Sequence, residues 1–218
     1  MHNKTLPILL STLLLVGCAS QPKEEKITEV KEKTFPSSML LSDSDIYPEN
    51  LDDYLFLDNT FYVDTRDHLQ FLTEGSVAGF INIPFYDFLV DFQYNEDALY
   101  TMKRVQNEDG TYNELGEVGS FVPNYEESDE IIQAMFPSDE KILVMSTAGV
   151  ESTYLCNLLV QLGYEYGNLY NVGGYSNAAV GHACYRELEN AKYKVTNIEL
   201  ENVTFDSDWD DLTPTNNQ

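Results

Sequence analysis

The stretch K-I-L-V-M-S-T-A-G-V-E-S, residues 141–152, decides the fold. Lys141 opens a run of four apolar residues, Ile142, Leu143, Val144 and Met145, with no alternation of polar and apolar positions. An uninterrupted apolar run of this length fits a strand buried on both faces, the condition of a parallel sheet. Ser146, Thr147, Ala148 and Gly149 then form a small-residue turn. Beyond it Leu155, Leu158, Leu159 and Leu162 recur on one helical face over 152–162, and Gly163 stops the helix. Strand, glycine-bearing turn and helix aim backbone N–H groups at one point, a geometry suited to an anion. Yet the turn holds no thiol and no base, and its one charged residue, Glu151, is negative.

Other elements follow on either side. Phe61, Tyr62 and Val63 form a short apolar strand ending at Asp64, and residues 65–72 read as a loop and short helix. A turn at 75–78 leads into a strand at 79–83, and residues 169–172 make a further strand closed by Gly173 and Gly174. Short apolar strands alternating with helices indicate an α/β domain with a parallel sheet, whose functional loops lie beyond the carboxyl ends of the strands.

The N-terminal region is of another kind. Lys4 precedes an apolar run over 6–16, too short to span a membrane as a mature helix, and Leu15-Val16-Gly17-Cys18 closes it. That closure resembles the bacterial lipobox. The resemblance implies a lipoprotein signal peptide over 1–17, lipidation and palmitate at Cys18, and membrane attachment through it. The anchored chain would face the extracytoplasmic side of the cell envelope, at the outer membrane if the host has one. Residues 18–40 read as a flexible charged tether, because 23–33 mixes Lys and Glu with little apolar surface. Residues 41–205 make one domain, and 206–218 an acidic disordered tail. With 37 acidic against 12 basic residues and a formal charge of −25, the chain is a poor partner for nucleic acid.

Asp64-Thr65-Arg66, then Phe71, then the run G-S-V-A-G-F-I-N-I-P at 75–84, resembles the rhodanese-like family, whose blocks are Asp-x-Arg, an aromatic, and Gly-His-Ile-Pro-Gly-Ala-x-Asn-x-Pro. Residues 144–152 are similar to that family's active-site strand and loop, and 169–174 to its closing strand and glycine pair. Gly75, Gly79, Asn82, Pro84, Gly173 and Gly174 carry the structural pattern. The resemblance implies a five-stranded parallel sheet flanked by helices, with a long aromatic-rich insertion over about 85–140. It also implies a structural ion pair between Asp64 and Arg66.

The departures decide the functional expectation. Active members carry Cys-x-x-Gly-x-Arg-Ser in the loop, and the cysteine holds a persulfide during sulfur transfer. Here Ser146 stands at the cysteine position and Glu151 at the arginine position, while Gly149 and Ser152 are kept. Ser76 replaces the histidine after Gly75, and Ala178 stands where the family often has tryptophan. A hydroxyl cannot form the persulfide, and a carboxylate repels thiosulfate and phosphoesters alike. The loop Ser146, Thr147, Ala148, Gly149, Val150, Glu151 and Ser152 is therefore expected to be catalytically silent, with Glu151 or water meeting the loop N–H groups in place of a bound anion. The protein would be a pseudoenzyme serving as a binding or structural module, with no cofactor and no metal. A sulfurtransferase or thiol-handling enzyme using Cys156 or Cys184 is one alternative, although both read as buried free thiols. The other is an envelope protein that binds a protein or glycan through the insertion. His68 and His182 read as surface or capping residues. The acidic runs at 107–110 and 206–211 lack the ligand spacing of a calcium loop.

Overall fold

A computed structural model describes residues 44–86, 88–104, 108–111, 118–179, 181–196, 198 and 212–215. The leader, Cys18, the tether and residues 206–211 lie outside these. Among the described residues the chain is a mixed α/β fold built on a parallel four-stranded sheet flanked by helices. Among them, no helix is long and apolar enough to cross a membrane.

The sheet holds β1 (Thr60–Asp64), β3 (Ile81–Asn82), β7 (Lys141–Ser146) and β8 (Leu169–Gly174), in the order β3-β1-β7-β8. Every neighbouring pair is parallel, with Val63 opposite Val144 and Asp64 opposite Met145. The central β7 is sequestered on both faces, which is why its sequence is continuously apolar. Ile142 and Val144 enter a core shared with Leu155, Leu158 and Leu159 of α3 (Val150–Gln161). Leu143 and Met145 enter a second core with Ile46, Leu51, Tyr170, Tyr175 and Tyr185. Four strands are described, where the sequence resemblance implies five.

The connection between β3 and β7 carries its own small sheet. There β4 (Val90–Asp91) runs parallel to β5 (Tyr100–Arg104), and β6 (Val118–Pro123) pairs antiparallel with β5. It is followed by α2 (Ser128–Met135). The segment is no separate subdomain, since Phe85, Leu89, Tyr100, Phe121, Ile132 and Phe136 share one core with α3 and β7. The Gln161 side chain of α3 joins it like a short strand. Phe121 N–H donates to Gln161 Oε1 at 2.8 Å, and Gln161 Nε2 donates to Phe121 O at 2.7 Å.

Several boundaries differ from the sequence expectations. Helix α1 spans His68–Glu74 and is capped by Asp67, whose Oδ1 accepts from Gln70 N–H at 2.9 Å. Helix α3 starts at Val150 rather than 152, because Gly149 at φ 89° lets the chain turn straight into it. The strand expected over 79–83 shortens to Ile81–Asn82. Upstream of it β2 (Ser76–Val77) pairs antiparallel with β9 (Lys194–Val195), a pairing no local pattern announces. Cys184 precedes a single 3-10 turn, Tyr185–Glu187, in a segment pinned to the N-terminal side. Ala183 N–H donates to Glu49 at 2.7 Å and Lys192 N–H to Asp52 at 2.9 Å. Within the tail expected as disordered over 206–218, residues 212–215 are docked on the segment after β6, with an antiparallel bridge between Tyr125 and Pro214. The local reason is composition: Leu-Thr-Pro-Thr is neutral and offers donors and acceptors, unlike the acidic run before it.

Candidate functional site

The loop 146–152 lies at the carboxyl end of β7, between the ends of β1 and β8, where a parallel sheet presents its functional loops. Its shape is fixed from several sides. Ser146 is buried, and its Oγ accepts the Gly149 N–H at 2.8 Å. The Ser146 and Thr147 carbonyls accept from Tyr175 and Asn177 N–H groups, both at 2.8 Å. Asn171 of β8 donates to the Gly149 carbonyl at 2.7 Å and to Thr153 Oγ1 at 2.9 Å, while its own carbonyl accepts Gly173 N–H at 3.0 Å. Thr147 Oγ1 meets Gln70 of α1 at 3.3 Å. Gly174 has no room for a side chain, since a Cβ there would lie 2.3 Å from Asn177 O and 2.7 Å from Thr147 O.

Glu151 sits in the first turn of α3, half-buried, and among the described residues its carboxylate accepts no hydrogen bond from the loop. Among the described residues it does not take the loop N–H groups, contrary to the expectation. Ser146 Oγ holds Gly149 N–H instead, because a hydroxyl three residues upstream closes a tighter ring than a side chain directed along the helix. Ser152 Oγ is buried and has no partner among the described residues. Burial raises the Tyr86 phenol above its ordinary value, and the negative charge of Glu151 adds to that rise. An aromatic of the long connection therefore stands within electrostatic reach of the loop.

Beside the loop lies a buried ionic knot. Arg66 grips Asp64 with both ends of its guanidinium, Nε to Oδ1 at 3.0 Å and Nη2 to Oδ2 at 2.7 Å. Its remaining donors reach Gly75 O at 2.7 Å and Ser176 Oγ at 3.2 Å, and the Tyr175 ring stacks on it at 4.0 Å. Glu74 adds a second carboxylate at 3.4 Å from Arg66 and 3.3 Å from Arg186, and accepts the Ser176 hydroxyl. Asn82 holds the strand end by donating to the Asp64 and Arg66 carbonyls at 3.0 and 2.8 Å. Burial pushes the Asp64 carboxyl up from its ordinary value, while Arg66 opposes that rise. The knot is structural in its chemistry, since every donor of the guanidinium is spent on the protein.

The remaining candidates are dispersed. Cys156 is buried in α3, and burial pushes its thiol up to about 12, which leaves no thiolate at neutral pH. Cys184 is also buried, and both are free. His68 meets Asn82 at 3.0 Å, and His182 pairs with Glu49 at 3.3 Å while stacking on Tyr47. Pro84 and Gly79 flank β3, away from the loop hydrogen bonds. Among the described residues no group of three or more His, Cys, Asp or Glu is placed to hold a metal. The sequence reasoning missed Asn171, although an amide inside the buried run L-Y-N-V is itself a signal that a backbone group nearby needs a partner. It also missed Glu74 and Ser176, which no local pattern marks. No family model, no curated protein and no solved structure matches this chain.

Proposed function

We propose that the chain is a rhodanese-like domain whose active-site loop is catalytically silent, anchored in a bacterial cell envelope through lipidated Cys18 and serving as a binding or structural module. The observation that carries this is Ser146: its side chain is buried and its oxygen is committed to Gly149 N–H, where sulfur transfer needs an accessible, ionised thiol. Glu151 supports the same conclusion, because it puts a carboxylate where an anionic substrate would require a cation. The order of the motif blocks along a parallel sheet supports the finer fold, a five-stranded rhodanese-like sheet with an insertion over about 85–140. Burial of Cys156 and Cys184 weighs against the enzyme alternative.

The binding role falls most naturally to the insertion. Tyr86 stacks on Phe92 at 5.3 Å, the Arg104 guanidinium lies 4.3 Å from the Phe92 ring, and Phe92 and Tyr94 are exposed. Exposed aromatics on a shared core suit an interface with an envelope protein or glycan. The direct test is thiosulfate:cyanide sulfur transfer by the soluble chain from Ser20 onward. No turnover above buffer is expected. Turnover that disappears in Cys156→Ser or Cys184→Ser overturns the silent-domain proposal. For the anchor, Cys18→Ala should abolish palmitate labelling, and normal labelling of that variant removes the lipid attachment.

A further inference from the structure

We propose that residues 212–215 are a detachable clasp that holds the aromatic loop of the insertion in place. Four neutral residues dock on one segment, 123–127, far from them in sequence. Thr213 donates twice to the Glu127 carboxylate, from N–H at 2.9 Å and from Oγ1 at 2.8 Å. Glu126 N–H donates to Thr213 O at 2.8 Å, and Thr215 N–H to Asn124 O at 2.8 Å. Thr215 Oγ1 donates to Pro123 O at 2.8 Å, and Leu212 packs on the main core.

The segment so gripped is the one that holds the loop. Asn124 Nδ2 donates to Ala98 O at 2.7 Å, and its Oδ1 accepts Thr101 Oγ1 at 2.7 Å. Tyr125 OH donates to Glu96 O, and Ser128 Oγ to Leu99 O at 2.8 Å. Residues 91–96 line a surface cleft of about 460 Å³ that includes Phe92 and Tyr94. A continuous chain of hydrogen bonds therefore runs from the C-terminal residues, through 123–128, to the walls of that cleft. The bonds made by the clasp itself, from Thr213 and Thr215, are few and exposed or half-buried, whereas β7 sits in the centre of both cores, so the clasp can open without the sheet unfolding. Opening loosens the cleft and changes what the exposed aromatics present. The clasp stands independently of which partner the insertion meets.

Hydrogen exchange on the full-length chain and on a chain ending at Asp211 tests this. Exchange of the amides at 95–98 is expected to rise at least about tenfold on truncation, the factor that corresponds to the net worth of about one hydrogen bond. Exchange at 142–145 in β7 is expected to stay unchanged. Unchanged exchange at 95–98, or an equal rise at 142–145, overturns the clasp. Should the truncated chain fail to fold, Thr213→Ala combined with Thr215→Ala gives the same readout. A rise confined to 95–98 supports the clasp, and no rise overturns it.

Discussion

Replacing Asp64 by asparagine removes one charge from the ionic knot and almost no volume. Both side chains of the Asp64–Arg66 pair are fully buried, with 0 % exposure each, and their contact is bidentate. Asparagine would turn an amide N–H₂ toward a guanidinium that has donors only. A buried charge left without its partner typically costs about 3–5 kcal/mol. Glu74 remains 3.4 Å from the guanidinium and is partly exposed, so the lower end, about 3 kcal/mol, is expected. With an m-value of about 2 kcal/mol/M, the urea midpoint should fall by roughly 1.5 M at unchanged m.

Arg66→Met tests the same pair from the other side and adds a pH signature. With the guanidinium gone, burial and the Glu74 charge remain, and both push the Asp64 carboxyl up. The folded chain then holds a proton on Asp64 at pH values where the unfolded chain, titrating near its ordinary value of about 3.9, has lost it. More protons bound in the folded state means that stability falls as pH rises through that window. Arg66→Met should therefore be more stable at pH 5 than at pH 7, relative to the parent. A loss below about 1 kcal/mol for Asp64→Asn, the size typical of an exposed pair, would refute the claim that the knot is dry.

Ser146→Cys should yield a buried thiol that accepts Gly149 N–H and shows no sulfurtransferase turnover, while Glu151→Arg should bind sulfate more tightly than the parent in calorimetric titration; equal sulfate affinity would show that Glu151 does not guard the loop. Gly174→Ala should cost about 1–3 kcal/mol, because the new methyl meets backbone on both sides, and thermal unfolding should drop by several degrees. Gly167→Ala, with nothing within 4 Å of its Cβ, should leave the transition in place. Alkaline titration should unfold the domain cooperatively. Burial pushes Tyr164 up to about 12 and raises Tyr100, Tyr170 and Tyr185 as well. Above about pH 10 the unfolded chain has lost phenol protons that the folded chain keeps, so stability falls by about 1.4 kcal/mol per pH unit for each such tyrosine. Phenolate absorbance rising near pH 10 with no loss of circular dichroism would refute this.

The central strand and α3 were legible because burial on two faces, and then on one, imposes patterns that a single sequence displays: the run Ile142–Met145 and the leucines of α3. The Asp64–Arg66 knot was legible through the motif at the end of β1. What stayed hidden is long-range and made by side chains. The two-residue strands β2 and β9 meet across more than half the folded body, too short to show any period. The Gln161 amide that completes the edge of β6, Asn171 under the loop, and residues 212–215 on the segment after β6 all work by a few hydrogen bonds to distant residues. Such contacts leave no periodicity, and their residue types are common on any surface.

The shape of residues 146–152 is held without a thiol or a cationic side chain in the loop. Its supports are Ser146 Oγ on Gly149 N–H, the Asn171 amide on Gly149 O, the close approach of Gly174, and the Tyr175 and Asn177 N–H groups on the loop carbonyls. None of these involves a thiol, and none involves the side chain at 151. Serine at 146 gives the Gly149 N–H a stronger acceptor than the sulfur of a cysteine would, so the residue favours this loop shape. A carboxylate at 151 meets the positive end of α3, a favourable placement worth about 0.3–1 kcal/mol where an arginine would be disfavoured. Ser146 and Glu151 thus both stabilise the loop, and on the proposed rhodanese-like reading they are also the residues that keep it silent. On that reading, a reactive loop with cysteine at 146 and arginine at 151 would give up both of these stabilising contacts.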